Sequence, residues 1–312
     1  MFSQLKNELV CKNIVIEPTN VCNAECVFCP REMYKHKLHH MPQNIFQKII
    51  EEANELGLES VGFGGFGEPL CDPKLIKKME IIKKKNKRLK IFLTSTLSLL
   101  DKKKIHYFVE NVDVIHVSFY GTAPKSYEKR HGGKLKFEKS KKNIISLIKQ
   151  KKDKNSKKPY IVMRYLFDDS VDEMKEFISF WEPQVEEVMV WKPHNYLYGR
   201  KYRTVQKNNK GNCGRPFSNG LNFDIEGRVT VCCFDFNKEL EIGNITTQSI
   251  KEILLGGKLN RLKMLHEKKQ FDGLLCDMCD QRIKNPDVLV YSTDNTRTIN
   301  SLNLSRQDYK TA

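Results

Sequence analysis

The run Asn13-Ile14-Val15-Ile16-Glu17 and, one proline later, Thr19-Asn20-Val21-Cys22-Asn23-Ala24-Glu25-Cys26-Val27-Phe28-Cys29-Pro30 decide how the rest of this 312-residue chain reads. The first is a short β-branched run, the pattern of a strand. The second sets three cysteines at CxxxCxxC spacing into the loop that leaves this strand. Three thiolates so close together leave an iron-sulfur cubane with one iron open to an outside chelator. A structural zinc site is the other reading, closed by a fourth ligand such as His36, His39 or His40.

Further along, the strand pattern repeats. Apolar, β-branched runs at 13–17, 60–64, 89–94, 113–118, 160–167 and 185–191 alternate with amphipathic stretches at 43–56, 73–85, 101–109, 138–151 and 171–181. Pro42 and Ser170 stand where helix starts favour them. Six strands with helices between them predict an α/β fold, a partial (β/α)6 barrel over 10–192. Such barrels carry their chemistry at the C-terminal ends of the strands, which is where the loop of Cys22, Cys26 and Cys29 falls. A bridge rich in Tyr, Lys and Asn follows at 193–212. The stretch 213–282 then reads as a smaller domain: a hairpin of 221–225 and 228–232 turning at Glu226-Gly227, and helices at 249–254 and 258–266. The polar stretch 283–312 reads as a peripheral tail.

Composition narrows the class. Lys+Arg number 54 against 38 Asp+Glu, a net charge of +16. The lysines crowd 74–90 and 136–158, where they alternate with apolar residues at helical spacing, as on solvated helix faces. No nucleic-acid-binding motif accompanies them, so no nucleic-acid partner is expected. No apolar run reaches the roughly 20 residues of a membrane span, and the N-terminus has no secretory signal, which makes the cytoplasm the expected location and a membrane partner unexpected. In a reducing compartment ten cysteines read as metal ligands rather than disulfides, with Cys11 and Cys71 standing outside the clusters.

The second cluster is Cys213, Cys232 or Cys233, Cys276 and Cys279, four ligands for a closed site. By spacing alone zinc and iron-sulfur compete there.

Taken together, CxxxCxxC with the aromatic Phe28 before the last cysteine resembles the hallmark of the radical S-adenosylmethionine (SAM) superfamily. Gly64-Gly65-Phe66-Gly67-Glu68-Pro69 resembles its GGEP motif, and Ser118-Phe119-Tyr120-Gly121 with Tyr127-Glu128-Lys129-Arg130 resembles its fourth-strand stretch. The resemblance implies a SAM-binding [4Fe-4S] cluster on Cys22, Cys26 and Cys29, with Phe28, Gly65, Gly67, Glu68, Ser118 and Arg130 as SAM contacts. Thr94-Ser95-Thr96-Leu97 departs from the family's usual Thr-Asn-Gly and receives no role. His116, Arg164 and Trp191 sit on strands where substrate or plain packing would explain them. The C-terminal pattern resembles the Twitch module, the shortened SPASM domain. It aligns Glu226-Gly227-Arg228-Val229-Thr230-Val231-Cys232 with the family's hairpin and so picks Cys232, giving one auxiliary [4Fe-4S] cluster on Cys213, Cys232, Cys276 and Cys279.

The activity implied is reductive cleavage of SAM to a 5'-deoxyadenosyl radical, with an electron from a flavodoxin or ferredoxin, and hydrogen abstraction from substrate. One auxiliary cluster resembles the members that oxidise a sugar-like or cyclitol alcohol, the cluster taking the second electron. Peptide modification is the alternative enzyme reading. A zinc-dependent nucleic-acid-binding protein is the remote one, and it leaves Phe28 and the Gly64–Pro69 loop without a purpose.

Overall fold

The computed structural model describes residues 10–204, 211–282 and 288–294. In chain order the elements are β1 (Asn13–Ile16), α1 (Gln43–Glu55), β2 (Ser60–Phe63), α2 (Leu75–Lys85), β3 (Lys90–Ser95), α3 (Lys102–Asn111), β4 (Val114–Ser118), α4 (Pro124–Arg130), α5 (Phe137–Asp153), β5 (Tyr160–Leu166), α6 (Val171–Trp181), β6 (Glu187–Trp191), β7 (Leu221–Phe223), β8 (Arg228–Thr230), β9 (Gly243–Asn244), α7 (Ile250–Leu255), α8 (Gly257–Glu267) and β10 (Leu289–Ser292). The six strands and five helices expected over 10–192 are all present, with ends shifted by a few residues. The hairpin and the two later helices are present too.

The chain gathers into two compact units. One is built from Met1–Cys22, Met33–Phe92 and Gly211–Cys279, the other from Asn23–Glu32, Leu93–Lys210 and Asp280–Ala312. In the first, β1 pairs in parallel with β2 on one side and with β7 on the other, Ile14 facing Val61 and Leu221. β7, β8 and β9 continue the sheet antiparallel. The hairpin of the C-terminal stretch is therefore an extension of the sheet that β1 starts. Ile14, Ile16, Val61, Phe63 and Phe223 turn inward. The helix α1 meets them with Phe46, Ile49, Ile50 and Ala53, one apolar face at helical spacing.

In the second unit β4, β5 and β6 run parallel, and β10 joins β6 antiparallel. All four residues of β10 are buried, which corrects the reading of 283–312 as wholly peripheral. Its signal, Val288-Leu289-Val290-Tyr291, is only four residues long among polar neighbours. The helix α4 was also missing from the sequence expectation, because seven residues are too short to show a period.

Two lysines depart from the solvated-face reading. Lys78 on α2 is 1% exposed, its ammonium donating to Asp72 Oδ2 at 2.6 Å and to the carbonyls of Met41 and Pro18 at 3.0 and 3.3 Å. Lys151 on α5 is buried against Glu186. A buried ammonium needs such partners, and the sequence does not show which lysine has them.

Candidate cofactor site

The approach to the first cysteine is built in the first unit. Pro18 to Val21 follow β1, and the loop after β2, Gly64-Gly65-Phe66-Gly67-Glu68, lies against them: Glu68 N donates to Val21 O at 3.0 Å. A Cβ on Gly67 would stand 2.2 Å from Thr19 O and 2.7 Å from Val21 O. The glycine is thus required by close approach to the chain's own backbone. Gly65 has φ +132°, and a Cβ there would meet the Glu17 side chain at 2.9 Å.

Glu68 is 3% exposed, and its Oε1 accepts from Leu70 N at 3.1 Å, capping the short turn Pro69–Cys71. Glu17, at the end of β1, is the acid that the sequence reading passed over. Its Oε1 accepts from Phe66 N and, at 3.2 Å, from Gly67 N. Burial pushes its carboxyl up to about 7, against the opposing pull of Lys238 and these two amides. Glu17, Gly64, Gly65, Phe66, Cys233 and Lys238 line a small cavity of about 130 Å³.

Cys26 and Cys29 belong to the second unit and are joined by a turn, Cys29 N donating to Cys26 O at 2.9 Å. The end of α4 holds this turn from outside. Glu25 N donates to His131 O at 3.3 Å and Val27 N to Arg130 O at 3.0 Å, so two backbone carbonyls grip the residues on either side of Cys26. Gly132, at φ +67°, lies so close that a Cβ would meet Glu25 O at 2.1 Å.

The Arg130 guanidinium itself faces elsewhere. Nε and Nη2 donate to Asp168 at 2.9 and 2.7 Å, and Nη1 and Nη2 donate to Glu173 at 2.8 and 2.7 Å. It also lies 5.3 Å from the Tyr165 ring centroid. Burial alone would raise the Glu173 carboxyl, but bonds from Arg130 and Ser126 hold it down at about 2.

His131 stacks on Tyr120, ring centroids 5.2 Å apart, and donates from Nδ1 to Tyr127 O, 2.8 Å away. Burial lowers it to about 4, which keeps the ring neutral. The Tyr120 hydroxyl bonds to Ser118, and burial chiefly, with the charges of Cys26 and Cys29, raises it to about 12. Ser118 ends β4 directly beside Arg164 of β5. Phe28 sets its ring edge-on to Tyr202 at 6.3 Å.

The second cysteine set lies in the first unit, with Arg215 two residues after Cys213. Arg215 lies within electrostatic reach of Cys233, Cys232, Cys213 and Cys279. Cys279 N donates to Cys276 O at 3.2 Å, closing the CxxC turn on itself. Cys232 is buried and Cys233 exposed. Burial and the neighbouring Cys233 push the Cys232 thiol well above its ordinary range. Such a sulfur becomes a thiolate readily only with a metal to bind it. Cys11, by contrast, is fully buried beside apolar neighbours with its thiol pushed up to about 12, an inert core residue. No disulfide joins any of the ten cysteines.

The model of the Radical SAM superfamily matches residues 16–178, more than half of the chain. The chain belongs to the radical SAM superfamily. A second model, of the SPASM iron-sulfur cluster-binding domain, matches residues 213–280 of this radical SAM enzyme. The two domains imply SAM and two [4Fe-4S] clusters. Free thiols are the donor chemistry that iron-sulfur clusters take, although among the described residues no three or more His, Cys, Asp or Glu side chains are gathered as a single metal ion would need.

Two curated proteins are similar over a limited stretch. The tungsten-containing aldehyde ferredoxin oxidoreductase cofactor-modifying protein of Pyrococcus furiosus is 29% identical over 108 residues, 34% of this chain and 30% of that protein. A probable GTP 3',8-cyclase of Methanothermobacter marburgensis is 27% identical over 112 residues, 36% of each. The chain thus spans about a third of each curated relative.

Solved structures match over most of this chain. BtrN, determined in complex with AdoMet and 2-DOIA, superposes with a TM-score of 0.63 at 20% identity over 89% of this chain and 94% of its own. The enzyme anSMEcpe with bound AdoMet gives 0.63 at 17% identity, over 88% and 92%. SuiB of Streptococcus suis, bound to precursor peptide SuiA, gives 0.63 at 14% identity, over 80% and 66%. These likenesses identify the fold as the α/β, unclosed-barrel fold of radical SAM enzymes. Among the described residues, no helix is long and apolar enough to cross a membrane.

The residues that sequence reading missed are the supports: Glu17, Asp168, Glu173, His131 and Gly132. The acids are unremarkable in composition, and only their partners, 38 to 50 positions away, give them meaning. Gly132 did carry a signal, as part of the Gly132-Gly133 pair after a helical stretch.

Proposed function

We propose that this radical SAM enzyme oxidises an alcohol carbon of a sugar-like or cyclitol substrate to a ketone, with removal of two electrons and two protons. What carries the reading is the single four-cysteine set behind a radical SAM core, on a chain that BtrN, crystallised with 2-DOIA, matches over nearly its whole length. When bound, SAM with its cluster would supply the hydrogen-abstracting radical, and the auxiliary cluster a sink for the second electron.

The chain's own residues position these groups. In this reading Cys22, Cys26 and Cys29 hold the SAM cluster, and Cys213, Cys232, Cys276 and Cys279 hold the auxiliary one. Phe28, Gly65, Gly67, Glu68, Ser118 and Arg130 serve SAM in different ways. The Gly65–Glu68 backbone and Ser118 are offered as direct contacts. Arg130 acts through the carbonyl with which it grips the cysteine turn. A flavodoxin or ferredoxin-type protein is the proposed electron donor.

The direct test is anaerobic turnover against a panel of aminocyclitols and sugars, following 5'-deoxyadenosine and ketone together. One ketone per 5'-deoxyadenosine is expected; ketone-free turnover of a peptide overturns the reading in favour of peptide modification, to which the likeness to peptide-bound SuiB lends support. Iron analysis checks the sites themselves. About eight irons per chain should fall to about four in a Cys22→Ala, Cys26→Ala, Cys29→Ala variant, and a fall to none would remove the auxiliary cluster from the reading.

A further inference from the structure

Arg215 has surroundings that the assignment above does not explain. It opens the short turn Arg215–Phe217, two residues after Cys213. Gly214 before it holds φ +77°, a left-handed conformation that glycine adopts without penalty, and Pro216 after it is buried. The guanidinium carbon rests 4.8 Å from the ring centroid of the buried Phe234, the residue that follows Cys232 and Cys233. From that seat, two residues from Cys213 and against the ring of the residue next to Cys233, it is within electrostatic reach of Cys213, Cys232, Cys233 and Cys279.

Three shielded cations among the described residues are matched by carboxylates: Lys78 by Asp72, Arg130 by Asp168 and Glu173, Arg203 by Asp280. Among the described residues no carboxylate is paired with Arg215. Its charge rests on the face of Phe234 instead, a contact that favours keeping it where it is.

We propose that Arg215 sets the reduction potential of the auxiliary cluster, raising it above the value that four thiolates alone would give. A [4Fe-4S] cluster with four thiolates is a dianion that becomes a trianion on accepting one electron from a low-potential reductant. A fixed cation stabilises the trianion more than the dianion, and it does so more strongly at a partly buried site than in open water. Arg215 is a positioning residue in this account, since it shapes the energy of electron arrival and contacts no reacting atom. The inference rests on the reading that Cys213, Cys232, Cys276 and Cys279 bind an iron-sulfur cluster.

The experiment uses the reconstituted chain carrying Cys22→Ala, Cys26→Ala and Cys29→Ala, so that only the auxiliary cluster is seen. Its midpoint potential is measured by dithionite titration followed by electron paramagnetic resonance, with Arg215→Gln, Arg215→Met and Arg215→Lys compared. The neutral variants are expected to lower the equilibrium constant for reduction at least tenfold, about 59 mV for a one-electron couple. Arg215→Lys, which keeps the charge, should stay within half of that shift. A potential unmoved in the neutral variants overturns the proposal, as does an equal fall in all three, which would make shape rather than charge the cause. If Lys loads with iron and neither neutral variant does, the residue serves assembly and the proposal falls. Absence of iron from the parent triple variant would instead overturn the underlying cluster reading.

Discussion

Two arginines stand beside the two cysteine sets, and they are used in opposite ways. Arg130 lends the Cys26–Cys29 turn only its backbone carbonyl, while its guanidinium is consumed by Asp168 and Glu173. Arg215 rests its guanidinium on the ring of Phe234, within electrostatic reach of Cys213, Cys232, Cys233 and Cys279, and has no acid to share it with among the described residues. The same residue type is a brace in one place and a fixed field in the other. The difference lies in which partner neutralises the charge, and a sequence motif does not record that.

The largest expected effect breaks the brace. Arg130→Leu leaves two carboxylates, both less than half exposed, without their cation and should lower stability by about 3 kcal/mol at pH 7, read by urea denaturation. The pH dependence sharpens the point. Glu173 is held at about 2, below its ordinary value of 4.5, so its stabilisation is present above pH 4.5 and is lost as pH falls toward 2. In Arg130→Leu that acid-sensitive part should vanish.

Glu17 behaves with the opposite sign. Its carboxyl is raised to about 7, so the folded state is favoured most below pH 4.5 and loses that contribution as pH rises toward 7. Glu17→Gln keeps an acceptor for Phe66 N and Gly67 N without the charge. Relative to the parent, it should gain on the order of 2 kcal/mol between pH 5 and pH 8, measured by thermal unfolding across that range. A flat difference would show that the acid is ionised in the folded chain.

A smaller stability effect, of about 1–2 kcal/mol, is expected from Gly132→Ala, where a left-handed backbone and Glu25 O both oppose a side chain. Its sharper readout is iron. The SAM cluster should load poorly while the auxiliary one keeps about four irons, which would separate the two regions by a single methyl group.

The alternation of β-branched runs and amphipathic stretches placed every strand from β1 to β6, because period and turn chemistry are local properties. The cysteines were legible for the same reason, since ligand spacing is short. What lay hidden depends on distance along the chain. Lys78 looked like any surface lysine until Asp72, Pro18 and Met41 were found around it. The motif makes Gly67 an expected SAM contact, and the structure shows that the backbone at Thr19 and Val21 already demands a glycine there. Nothing in Leu221-Asn222-Phe223 announced a parallel partner in β1, about 200 residues earlier.

That last pairing gives the order of synthesis a physical meaning. One side of β1 meets β2 within about 50 residues, but its other side waits for β7. At ribosomal speeds of roughly 5–20 residues per second, those hydrogen-bonding groups stay open for about 10–40 seconds while the intervening chain is made. An open strand edge is a template for wrong partners. The iron-sulfur segment that follows is thus also the last piece to shield the strand leading into the first cysteine loop, and a chain that stops before residue 221 would leave that edge uncovered.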